Sequence, residues 1–156
     1  MPSFAAIRFS ALLSENTGQL VHFVELLKHE QELLVEGRVE ELLALAEDKT
    51  AAVRQMQNAE NSRALALGAD GIDPSAESVA AFVQGKGKTL EDAWARYLSL
   101  AREASELNQI NGKLIRQHMQ NNQLALSVLL SASEIPLYNA DGLSPAKPPG
   151  RLLGTF

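Results

Sequence analysis

The sequence predicts an all-α fold: an antiparallel helical hairpin plus one long C-terminal helix, an elongated, coiled-coil-like bundle with a disordered C-terminal tail. Three observations carry this. Apolar residues recur at three- and four-residue spacing over long stretches. The ten glycines and six prolines are sparse before the C-terminal segment, so few interruptions fall inside those stretches. Aromatics make up only 5% of the chain, which suits helices better than a sandwich or barrel. With 156 residues and 46% hydrophobic content, one domain with a real core is expected, a helical part over 1–133 and a tail over 134–156.

The first helix is expected over about 10–35. Leu13, Leu20, Phe23, Val24, Leu27 and Leu34 share one face, widened by Leu12, Leu26 and Leu33. Glu36-Gly37-Arg38 interrupts it, because Gly37 is suited to the left-handed conformation that ends a helix. A second helix, about 39–67, carries Leu42, Leu43, Ala46, Val53 and Met56 along one side. So short a turn makes the two antiparallel neighbours. The alternative is one continuous helix with a tolerated glycine. Turn signals crowd residues 68–74, and Asp73 with Pro74 reads as an N-cap and first helical position for a short helix over 74–84. Residues 84–88 break that helix. Thr89 with Asp92 three residues on then resembles a capping box, opening a helix over 89–133. Four prolines and three glycines in the last 22 residues point to a flexible tail.

The long helix is the most informative stretch. One face reads Leu90, Ala93, Trp94, Tyr97, Ala101, Ala104, Asn108, Asn111, Ile115, Met119, Asn122, Leu126 and Leu129. Its apolar stripe is therefore interrupted by asparagines. Three readings are open: the amides set the register of a helical seam, they face solvent, or they hydrogen-bond a partner while Ile115, Met119, Leu126 and Leu129 bury its apolar face. Length adds a geometric expectation. At about 1.5 Å per residue the first two helices run about 40–45 Å and the third about 65 Å, so either the long helix overhangs by about 20 Å or another chain covers the remainder, Leu114 to Leu130 being the candidate stretch.

Composition excludes several function classes. Residues 1–85 hold thirteen acids and six bases, residues 86–156 six acids and eight bases; the net −5 is not the clustered basic charge that nucleic acid requires. There is no cysteine, hence neither a disulfide framework nor a thiolate metal site. No run approaches the length of a membrane span, and the N-terminal stretch lacks a signal peptide's basic and apolar regions, so a cytoplasmic protein without membrane insertion is expected. Gly87-Lys88-Thr89 looks like the end of a phosphate loop, but Phe82 stands where that motif needs a glycine. His22 and His29 lie about 10 Å apart along a helix, too far to share an ion. No serine comes with a recognisable triad order. Neither catalytic residues, a metal site nor a cofactor is expected.

Three pieces resemble the FlgN family of flagellar export chaperones: LLKHEQELLVEGRVEELLALAEDKTAAV, ASELNQINGKLIRQHMQNNQLALSVL and LYNADG. The middle piece is the most specific, with Asn108, Asn111-Gly112, Leu114-Ile115 and Asn122 at the family's spacing. Arg38 departs from the pattern, which tends toward an acidic or polar residue there. The resemblance implies a non-enzymatic chaperone that binds the C-terminal helical segments of hook-associated (hook–filament junction) proteins, keeps them from assembling early and delivers them to the flagellar export gate. It implies a client-binding surface on Asn108, Asn111, Gly112, Leu114, Ile115, Met119, Asn122, Leu126 and Leu129, and transient gate docking through Tyr138. The alternative is a self-associating helical adaptor, a homo-oligomer without a client.

Overall fold

The computed structural model describes residues 3–119 and 123–134, with the backbone alone for 123–126. Its elements are α1 (Phe4–Glu36), α2 (Val39–Ala69), α3 (Ala76–Val83), α4 (Lys88–His118) and α5 (Gln123–Ser133). All are helices, as expected. The expected tail, with Tyr138, lies outside the described residues.

Helix α1 starts two turns earlier than the leucine stripe predicts. Ser3 caps it by accepting from the Ala6 amide, and the added turns bury Ala6 and Phe9. Phe9 meets Phe82 edge-on at 5.6 Å and Trp94 at 5.9 Å between ring centroids, contacts that local periodicity does not reveal. At the other end the hairpin turn is made as expected. Gly37 adopts φ 71°, and the Gly37 and Arg38 amides donate to the Leu34 and Leu33 carbonyls, a Schellman motif. Arg38 pairs with Glu36 and Glu41 across the turn, which gives the departing residue a place.

Two caps differ from expectation. Ser75 rather than Asp73 caps α3, accepting from the Ser78 amide, while Asp73 accepts from the Ser75 amide. Gly87 precedes α4 with no side-chain cap, so the Thr89–Asp92 box does not form; Glu91 instead reaches back to the Gly85 amide at 2.9 Å.

The largest difference concerns the helix expected over 89–133, which is two helices. Asn108 Nδ2 donates to the Ser133 carbonyl at 3.0 Å. Twenty-five residues of straight helix would hold those positions about 37 Å apart, so α5 runs back against α4. The overhang is therefore absent among the described residues: Ile115, Leu129 and Leu130 are buried. Covering Leu129 and Leu130 contributes about 1.5–3 kcal/mol each.

Helix α1 packs along both α2 and α4, and α5 fills the groove between α2 and α4 beside the Gly37 turn. Two cores result. One joins α1, the later part of α2, α3 and the first half of α4 around Phe23, Trp94 and Tyr97. The other joins Leu33, Leu34, Leu42, Leu45 and Ala46 to Ile115, Leu129 and Leu130.

Candidate functional site

The second core is where the asparagine-bearing face ends up. Asn111, fully buried on α4, donates through Nδ2 to the Leu27 carbonyl and to Glu30 Oε1, both at 2.9 Å. Glu30 also lies 3.1 Å from the Lys49 ammonium of α2. Lys49 is 1% exposed. Burial pushes its pKa down, and the adjacent Glu30 carboxylate opposes that shift. The same ammonium donates to Ser133 Oγ at 3.3 Å. A polar chain thus crosses the apolar layer and ends on the last turn of α5, where Asn108 holds the Ser133 carbonyl. A buried ion pair persists when further hydrogen bonds satisfy both charges, as the amide and hydroxyl do here.

Not every valence is filled. Asn108 Oδ1 and Asn111 Oδ1 are buried and have no hydrogen-bond partner among the described residues. Beside α5 runs an open channel of about 620 Å³, lined by Leu43, Ala46, Thr50 and Arg54 of α2 and by Val128 and Ala132 of α5. Val128 is 54% exposed.

Further up the bundle, Tyr97 donates to Glu60 Oε2 at 2.8 Å, Glu60 pairs with Arg63, and the Arg63 guanidinium lies over Tyr97 and Trp94 at 4.7 and 5.3 Å. Trp94 and Tyr97 stack at 5.5 Å, so this pair belongs to the core, as its apolar-face spacing suggests. Desolvation raises the Tyr97 pKa. Among the described residues no cluster of His, Asp and Glu is placed to hold a metal ion, and no helix is long and apolar enough to cross a membrane.

A family model described as FlgN protein matches residues 1–146. The chain belongs to the FlgN family. It is 30% identical over 126 residues to the flagella synthesis protein FlgN of Proteus mirabilis, covering 80% of this chain and 81% of that one. Its identity to the Yersinia enterocolitica protein of the same name is 29% over 136 residues, 83% of this chain and 87% of the relative. No solved structure matches the chain.

The residues that carry the FlgN resemblance are brought together only in part. Asn108, Asn111, Gly112, Leu114, Ile115 and Met119 lie on the last three turns of α4 and the residue after them. Asn111, Gly112 and Ile115 are buried; Asn108, Leu114 and Met119 are half-buried. A Cβ on Gly112 would meet only the Arg116 guanidinium, at an ordinary 3.6 Å, so packing does not require glycine there. Leu129 faces them from α5, as a cover rather than as a continuation of their helix. Asn122, the Leu126 side chain and Tyr138 lie outside what is described.

Glu30, Lys49 and Ser133 were not singled out by sequence reasoning. Their signal was present: Glu30 sits three residues after Leu27, and Lys49 three after Ala46, so each falls on a core-facing stripe. Charged residues at core spacing are found buried when partnered.

Proposed function

We propose that this chain is a cytosolic flagellar type III export chaperone. It binds the C-terminal helical segments of hook-associated proteins, keeps them from assembling prematurely and delivers them to the export gate. Membership of the FlgN family supports a role in flagellar assembly. The observation that carries the client-binding reading is α5 itself: the groove between α2 and α4 accepts an amphipathic helix, and it does so with apolar walls and the Asn108 amide as donor. Helix-in-groove recognition uses those parts. The client-binding region takes in Asn108, Asn111, Gly112, Leu114, Ile115 and Met119 on the α4 side, with Asn122, Leu126 and Leu129 in the segment that leads into and forms α5. Tyr138 provides the transient gate contact.

Co-expression of the full chain with a hook-associated protein, followed by co-purification, tests this. The native chain should retain the client. Asn108→Ala and Ile115→Ala should weaken retention several-fold while circular dichroism stays helical. Failure of the native chain to retain any hook-associated protein overturns the reading. Sedimentation of the free chain as a tight dimer that buries α4 and α5 would favour the self-associating adaptor.

A further inference from the structure

The groove under α5 has a built end. The last carbonyls of a helix have no partner within it, and positive charge near them is favourable. Here the Ser133 carbonyl of the last turn accepts from Asn108 Nδ2, and the Ser133 hydroxyl accepts from the Lys49 ammonium. Lys49 is itself fixed by Glu30, and Glu30 by Asn111, so the ammonium donor is held in place. That arrangement suits the C-terminal end of a helix and no other part of one. Yet α5 is a poor tenant. It has only eleven residues, too few for a stable isolated helix. It leaves the 620 Å³ channel open along α2, and it leaves Asn108 Oδ1 and Asn111 Oδ1 without partners among the described residues.

We propose that the α2–α4 groove is a receptor for the C-terminal end of an amphipathic helix and that α5 is its built-in, displaceable occupant. An incoming helix with larger apolar side chains at i, i+4 and i+7 fills the channel beside Leu43 and Ala46. It ends against Lys49 and Asn108, and α5 leaves the groove. The proposal rests on the chaperone reading for the identity of the natural occupant, but not for the receptor itself. It also reverses the expected sign for α5 residues: a substitution that loosens α5 strengthens binding, whereas one in the groove weakens it.

Because the chain has no cysteine, a single pair can be introduced cleanly. Thr50→Cys and Ser131→Cys place one thiol on each wall of the channel, α2 and α5, and a short bis-maleimide with a reducible core staples α5 down in the full-length protein. A second full-length variant, Leu130→Ser with Leu129→Ser, frees α5. The probe is a fluorescent peptide of residues 123–134. A tethered copy outcompetes a free one through its effective concentration, so the peptide should bind the freed variant at least about tenfold more tightly than the native chain. It should not bind the stapled form until the staple is reduced. Replacing the peptide's penultimate serine, the counterpart of Ser133, by alanine should cost about threefold, as should Asn108→Ala in the freed variant. A folded, freed variant that ignores the peptide overturns the proposal, as does equal binding to stapled and native protein. The same forms are tested against a hook-associated protein. Client retained equally by stapled and reduced protein overturns displacement while the chaperone reading stands. Client retained by none overturns the chaperone reading, and the peptide result then judges the receptor alone.

Discussion

Lys49 shows how much one side chain's neighbours decide. Removing its charge alone, as in Lys49→Met, leaves Glu30 buried without its cation and should cost about 3–5 kcal/mol. Glu30→Leu combined with Lys49→Met should recover most of that loss, since an apolar pair of similar volume carries no desolvation penalty. Urea midpoints of the two single variants and the double variant check this, the non-additivity being the readout. Tyr97 makes a second prediction at this scale. Its pKa is raised in the folded state, so the unfolded chain loses the phenolic proton first. The associated stability is complete below the ordinary tyrosine value of about 10 and declines as pH rises beyond it. Tyr97→Phe should cost about 1 kcal/mol near neutrality through the lost bond to Glu60. It should also remove that share of the decline that sets in above about pH 10.

At the scale of elements, turns and caps set where helices stop. Gly37 holds a left-handed conformation with nothing within 4 Å of an added Cβ. Gly37→Ala therefore meets no clash and pays only backbone strain, about 1–2 kcal/mol, seen as a lower urea midpoint with unchanged client retention. Helix α5 is held less firmly than the hairpin helices. Its described buried apolar residues are Leu129 and Leu130, against a dozen buried positions on α1. Amides of 123–133 should exchange with deuterium at least about tenfold faster than those in the middle of α1. Comparable protection in both would mean that α5 opens only when the whole bundle does.

Across the whole molecule, the hairpin and α4 make a frame along α1, and the two cores differ in what closes them. The upper core is closed by α3 and by rings drawn from α1, α3 and α4. The lower core is closed by α5, a short helix near the end of the described chain. On the proposed reading, α5 covers the apolar groove until a partner helix arrives, which guards against self-association through that surface. The free native chain is accordingly expected to sediment as a monomer, and the Leu129→Ser, Leu130→Ser variant to self-associate more at high concentration.

The amino-acid pattern alone determined the helical class, the Gly37 turn, and the breaks near residues 70 and 86. Each of these depends on spacing within a few residues, where periodicity and turn chemistry act. Only tertiary structure decided that α5 folds back and that Glu30, Lys49, Asn111 and Ser133 meet. Periodicity cannot separate one long amphipathic helix from two that share a stripe, because both bury the same face. The choice falls to what that face finds to pack against, and here it finds α2 and α4 of its own chain.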